Sequence, residues 1–216
     1  DCFKSFEEPW NTDLFHQKMR EFRKNDPQSF GAMYDTLRTN ISLMQLVAGD
    51  ALIDNATQFL GKKPEEISMS DPVVRLDAPG DDRNSHGWHQ ERAYFPHNRD
   101  GLNGMVCWIP LFNCNKENGT ILVCAGSHKE GLLNTVREKK TSISETTRIA
   151  VPEDYTKKYE SIIVEANQGD AVFFNMLLFH RSGENISNKL RITVQNRLHV
   201  AVADDFIPFD IINHYS

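Results

Sequence analysis

Long apolar runs are missing from this chain. No stretch of 18 apolar residues occurs, so no membrane-spanning helix is expected. An excess of positive charge is missing too. The 24 Lys and Arg residues are outnumbered by 30 Asp and Glu, the formal charge is -6, and the basic residues are scattered. A nucleic-acid partner is therefore not expected. Cysteine is sparse: Cys2, Cys107, Cys114 and Cys124 fall at no zinc-binding spacing. A chain of 216 residues buries enough surface to do without disulfide staples. Reduced cysteines in a cytoplasmic protein are the expectation. No segment reads as a signal peptide, an internal repeat, a heptad array or a low-complexity tract. The regular strand–helix alternation of a doubly wound sheet is also lacking.

What is present divides in two. Residues 1–65 read as a mainly helical flank. Leu14, Phe15, Met19 and Phe22 recur at helical spacing in "WNTDLFHQKMREFRKN", with Asn11 or Thr12 as the cap. A second helical region covers 29–61. Gly49 and Asp50 can divide it, and Gly61 followed by Pro64 can stop it. From about residue 70 to 205 the signals become those of short strands and turns. "PVVRLD", "MVCWIPLF", "TILVCAG", "SIIVEA", "AVFFNMLLFH" and "RITVQNRLHVAVA" read as strands. Residues 134–160 read as a polar surface excursion, either a lid or a tolerated insertion. The whole of 1–216 is expected to form one domain. Its fold class is mainly β, a two-sheet antiparallel sandwich or barrel with helices outside one sheet.

The stretch "HGWHQERAYFP" places His89 and Glu91 two residues apart. On one strand both side chains share a face. His180 ends the apolar run "AVFFNMLLFH", where a rigid scaffold would hold it. Two histidines and a carboxylate are the facial set that holds ferrous iron in oxygenases and leaves positions open. On spacing alone, a structural ion pair is the commoner explanation of the same residues. Arg191, eleven residues after His180, shares strand parity with Thr193 and Gln195, whereas Ile192 and Val194 face the other way. A guanidinium beside a hydroxyl suits a carboxylate ligand. Ser182 could add a hydrogen bond.

Four segments together resemble the phytanoyl-CoA dioxygenase family of Fe(II)- and 2-oxoglutarate-dependent oxygenases. They are "WHQERAYFP", "CWIPLFNCNKENGTILVCAGSHKEG", "GDAVFFNMLLFHRSGENISNKLR" and the strand that follows. The resemblance implies a double-stranded β-helix, a cupin-like jelly roll with N-terminal flanking helices. It implies His89, Glu91 and His180 as catalytic iron ligands. Arg191 would bind the distal carboxylate of 2-oxoglutarate, with Ser182 at a position that can assist it and Trp108 near the cosubstrate; by strand parity, Thr193 is an alternative helper to Ser182. Gly119, Gly126, Ser127 and His128 match the family's loop between strands. The implied cofactors are Fe(II), 2-oxoglutarate as cosubstrate, and O2. One departure is Glu91, where the family commonly has aspartate. Halogenating relatives lose this carboxylate altogether, so halogenation is not expected.

The implied activity is hydroxylation of a small-molecule substrate with release of succinate and CO2. Arg92, Tyr94, His97 and Arg99 follow the metal motif, which points to a polar or anionic metabolite. Two other classes fit the residues without the resemblance. One is a cupin-like metalloenzyme that does not use 2-oxoglutarate. The other is a noncatalytic sandwich that binds sugar or protein.

Overall fold

The computed structural model describes residues 10–80, 86–134, 136–139 and 147–208. Four helices come first: α1 (Asp13–Asn25), α2 (Pro27–Leu37), α3 (Ile41–Val47) and α4 (Asp50–Leu60). Local chemistry sets their ends. Thr12 Oγ1 accepts from the Phe15 N–H at 3.1 Å and caps α1. Asn40 Oδ1 accepts from Ser42 and Leu43 and starts α3. The second helical region is thus broken twice, at Asn40 and at Gly49. Gly61 closes α4 in the left-handed conformation, at φ 62°.

The strands follow: β1 (Ile67–Met69), β2 (Val73–Asp77), β3 (Gly104–Pro110), β4 (Ile121–Cys124), β5 (Val136–Lys139), β6 (Thr147–Ala150), β7 (Ser161–Val164), β8 (Val172–Asn175), β9 (His180–Ser182) and β10 (Arg191–Val200). A four-residue helix, α5 (Glu153–Thr156), lies between β6 and β7. The large sheet is antiparallel, in the order β1-β10-β3-β8, with β2 also paired to β10. The small sheet is β7-β4-β9, also antiparallel. The two sheets face each other, and Trp108, Val172 and Phe174 of the large one pack with Ile121, Val123 and Val164 of the small one. This is the jelly roll that the sequence resemblance implies.

Strand β10 shows how alternation builds the architecture. Ile192 packs outward with Val74 and Leu76 under α1 and α2. Val194 and Leu198 pack with Met105, Cys107 and Ile109 under α3 and α4. The helices therefore cover one face of the large sheet, and the other face looks into the sandwich. A close backbone crossing joins β4 to β9. The Gly183 N–H donates to the Thr120 carbonyl at 2.7 Å. A Cβ on Gly119 would lie 2.8 Å from the backbone of Gly183, Glu184 and Asn185, so only glycine fits there.

Three local expectations are corrected. "AVFFNMLLFH" is not one strand. It breaks after Asn175, whose Oδ1 accepts from the Leu177 N–H at 2.9 Å and makes a turn. Val172–Asn175 belongs to the large sheet and His180 to the small one. "HGWHQERAYFP" keeps only a single bridge at His89 and then enters a 3-10 turn at Glu91–Ala93. The excursion near 134–160 contains the β5–β6 hairpin and α5 rather than irregular chain; residues 135 and 140–146 lie outside the described part. It is tied to the body, since Val151 is buried against Phe179 and Cys124.

Candidate metal centre

His89 and His180 are joined backbone to backbone. Each N–H donates to the other's carbonyl, at 3.0 and 3.1 Å. This two-residue bridge holds the rings with centroids 4.1 Å apart. Gln90, fully buried between the ligand positions, locks the segment. Its Nε2 donates to the carbonyls of Gly131 and Leu177, and its Oε1 accepts from the Leu133 N–H. The 3-10 turn then brings Glu91 back toward the rings, with the N–H groups of Tyr94 and Phe95 donating to its carbonyl.

The ring tautomers are fixed by their partners. His89 Nδ1 lies 2.8 Å from the Gly87 carbonyl and His180 Nδ1 lies 2.9 Å from the Leu178 carbonyl. Carbonyls only accept, so each Nδ1 carries the proton, and in the neutral form that a metal ligand requires each Nε2 presents a lone pair. Both Nε2 atoms approach Glu91 Oε2, at 3.4 Å from His89 and 3.2 Å from His180. Ligand atoms of the three buried residues all lie within 4.8 Å of one another. Among the described residues this is the one such cluster. Three acceptors facing one point repel unless a cation sits among them, so the donor set fits a metal ion.

Arg197 completes the arrangement. Its Nε donates to Glu91 Oε1 at 2.7 Å, and its Nη2 donates to the same oxygen. Burial would raise the Glu91 carboxyl, but the Arg197 guanidinium and the His180 and His89 contacts outweigh it and hold the group well below the ordinary carboxylate range. The His89 imidazole is pushed down by burial and then by His180, which keeps its lone pair available. A pure histidine–glutamate ion pair is a poorer account, because Arg197 already balances the carboxylate charge.

A cavity of about 370 Å³ opens beside the cluster, between the two sheets. It is lined by His89, Glu91, His180 and Ser182 with Val73, Arg75, His86, Tyr94, Phe95, Ile121, Arg181, Gln195 and Arg197. Of the expected site residues, His89, Glu91, His180 and Ser182 thus come together. Arg191, Thr193 and Trp108 are not among the side chains lining this cavity. Arg191 is buried on Asp77, with its Nε at 3.0 Å and Nη2 at 2.5 Å from Oδ2. Its Nη1 and the Thr193 Oγ1 are buried without a hydrogen-bond partner. Trp108 is buried in the apolar cluster with Cys114, Ile121 and Ala166.

The substrate-side expectation is corrected in part. Tyr94 reaches the cavity because the 3-10 turn reverses the strand parity, and its ring sits 5.5 Å from that of His89. Arg92, His97 and Arg99 do not line it. Arg92 donates instead to the Arg99 carbonyl, and His97 packs on His199. Arg75 and Arg197 were missed. For Arg197 the signal was available, since it continues the parity of Arg191, Thr193 and Gln195. Arg75 stands directly across from Thr193 on β2, a register that sequence alone does not supply.

Comparison with known proteins agrees with this fold. The sequence model of the family described as Phytanoyl-CoA dioxygenase (PhyH) matches residues 7–193. The chain belongs to this family. It is 26% identical over 188 residues to the peroxisomal phytanoyl-CoA dioxygenase of Homo sapiens, covering 87% of this chain and 49% of that protein. The chain spans about half the length of the curated relatives it matches. Among solved structures, EvdO2 from Micromonospora carbonacea var. aurantiaca, complexed with 2-oxoglutarate, superimposes with a TM-score of 0.58 at 21% identity. That match covers 77% of this chain and 67% of that one. EctD from S. alaskensis with bound Fe gives 0.57 at 19% identity, over 74% and 53% of the two chains.

Proposed function

We propose that this protein is an Fe(II)- and 2-oxoglutarate-dependent dioxygenase that hydroxylates a small polar or anionic metabolite. One observation carries the reading: two imidazole lone pairs of fixed tautomer and one carboxylate oxygen converge at a buried point beside a cavity. Family membership supports it, as do fold neighbours crystallised with Fe and with 2-oxoglutarate. Iron held by His89, Glu91 and His180 would supply the dioxygen chemistry, splitting 2-oxoglutarate to succinate and CO2 as the substrate is hydroxylated.

The chain's own residues have separable tasks. The His89–His180 bridge and Gln90 hold the donors rigidly. Arg191 Nη1 and Thr193 Oγ1 are two orphaned buried donors on one strand face, which suits a carboxylate such as the distal group of 2-oxoglutarate. Arg191 can keep its Asp77 contact while Nη1 serves the ligand. Ser182 lies at the cavity wall, within the same sandwich. Trp108, opposite Gln195 in the ladder, backs this region with apolar bulk that excludes water. Arg75, His86, Tyr94 and Gln195 offer the substrate polar contacts, whereas Val73, Phe95 and Ile121 offer apolar ones. A cavity near 370 Å³ is at the small end of ligand sites, which favours a small metabolite.

Thiol chemistry has no part in this reading. Burial pushes the Cys107 thiol up to about 12 and the Cys114 thiol to about 11, so neither is a nucleophile at neutral pH. Cys107, Cys114 and Cys124 are free and buried, which suits a reducing compartment such as the cytoplasm. Among the described residues no helix is long and apolar enough to cross a membrane.

A second reading is favoured by one contact. Arg191 already has a carboxylate partner in Asp77, as it would in a metalloenzyme that does not take 2-oxoglutarate. Iron-loaded protein supplied with 2-oxoglutarate and panels of polar acids, sugars, amino acids and acyl thioesters separates the two. Succinate formed together with one hydroxylated polar product is the expected result. Succinate coupled only to an acyl chain contradicts the polar-substrate part. No 2-oxoglutarate consumption under any condition contradicts the oxygenase reading.

A further inference from the structure

The pairing of Glu91 with Arg197 shapes how the carboxylate can meet a metal. We propose that Arg197 is a positioning residue that restricts Glu91 to one metal-binding oxygen and so keeps the remaining coordination positions open. This inference rests on the metal-site reading above.

Nε and Nη2 of Arg197 both donate to Oε1, whereas Oε2 is the atom turned toward the two ring nitrogens. The guanidinium is itself held. Its Nη2 donates to Gln195 Oε1 at 2.8 Å, its Nη1 donates to the Gln195 carbonyl at 3.3 Å, and it lies 4.1 Å from the centroid of the Phe95 ring. Restraint therefore runs from the β10 backbone to one oxygen of Glu91. Glutamate has one more rotatable bond than aspartate, and carboxylates can bind metals through one oxygen or both. Binding through both would fill a position that the cosubstrate or dioxygen requires. In this site it would also strip Oε1 of two charge-assisted hydrogen bonds in a buried setting, which opposes it.

Charge points the same way. Two neutral imidazoles, one carboxylate and one guanidinium sum to zero. Arg197 thus lowers the attraction of the site for a dication while it orders the ligand. Geometry and charge separate in two substitutions. Arg197→Met removes both, and Arg197→Lys keeps the charge but loses the planar two-pronged grip.

The experiment uses the full chain and Mn(II) as the probe. Affinity is read by titration, and coordinated waters by the relaxation of solvent protons. Wild-type protein is expected to retain about three metal-bound waters, as a three-ligand facial site allows. Arg197→Met is expected to bind Mn(II) roughly tenfold tighter and to keep about two waters. Arg197→Lys is expected to stay within about threefold of wild type in affinity, yet also to keep about two waters. In both, the 2-oxoglutarate dissociation constant of the Mn(II)-loaded protein should rise several-fold. If Arg197→Met fails to melt cooperatively because Glu91 is left unpaired, the lysine variant carries the test. An unchanged water count in Arg197→Lys overturns the positioning role. Wild-type protein that binds Mn(II) no better than His180→Ala overturns the metal reading, and the clamp falls with it.

Discussion

The two faces of β10 differ in what they ask of their residues. The outer face presents Ile192, Val194 and Leu198 to the helices, where shape and volume decide and many neighbours share each contact. The inner face presents Arg191, Thr193, Gln195, Arg197 and His199, each buried or half-buried with a specific polar partner or an orphaned polar atom. Changing an outer residue should weaken folding and leave the site intact. Changing an inner residue should alter ligand binding more than its effect on folding explains.

The largest separation is expected at His180, which the inner face meets across the cavity. His180→Ala should lower metal affinity by at least roughly 1,000-fold, since it removes one of three ligands, and should abolish turnover. Titration with Mn(II) checks this, and a cooperative melt of the metal-free protein should remain. Next comes Arg191→Lys. It should raise the 2-oxoglutarate dissociation constant roughly 100-fold, the scale of a damaged buried charge pair, with Mn(II) affinity unchanged. Calorimetry with the metal-loaded protein distinguishes the two constants. On the outer face, Val194→Ala should cost about 2 kcal/mol of stability through lost burial and a residual cavity. Denaturant unfolding measures that loss, and both ligand constants should stay at their wild-type values. A shift in either constant would break the division between the faces.

The smallest effect concerns pH at the far end of the inner face. Burial, then His97 and Arg197, lower the His199 pKa to about 3, and its Nδ1 donates to Asn98 Oδ1 at 3.0 Å. The unfolded chain, with an ordinary imidazole near 6.5, binds more protons than the folded one between these values. Stability is therefore full above about pH 6.5 and falls as the pH drops toward 3. The loss should be about 1 kcal/mol by pH 5.5, above the range in which carboxylates dominate. Melting curves between pH 7 and 5.5 should show it, and His199→Asn should flatten the slope.

The same contrast explains what was readable in the sequence. The outer face was legible because apolar alternation alone defines it. The candidate triad could be proposed because His89, Glu91 and His180 stand in a specific company of motifs, and the structure brings their ligand atoms within 4.8 Å of one another. The inner-face alternation from Arg191 to Gln195 could be drawn, but its partners could not. Asp77 and Arg75 reach it through the antiparallel register of β2, which no local pattern encodes. The turn that splits "AVFFNMLLFH" is held where the Leu177 N–H donates to Asn175 Oδ1 and the Leu178 N–H to the Asn175 carbonyl, inside a run that otherwise reads as strand. Tyr94 could be named as a substrate-side candidate, but the turn that brings it to the cavity could not be read from the sequence. A 3-10 turn at Glu91 reversed its parity, and the hairpin then fixed its hydroxyl on the backbone of Ile149.

The central proposal is iron held by His89, Glu91 and His180, with room beside it for 2-oxoglutarate. Anaerobic titration of the Fe(II)-loaded protein with 2-oxoglutarate tests this most directly, because chelation of ferrous iron by a 2-oxo acid produces a visible charge-transfer absorption. Wild-type protein should develop the band saturably at one equivalent of iron, and His180→Ala should not develop it. Iron-loaded wild-type protein that shows no band at saturating 2-oxoglutarate, or a band of equal strength in His180→Ala, would contradict the account.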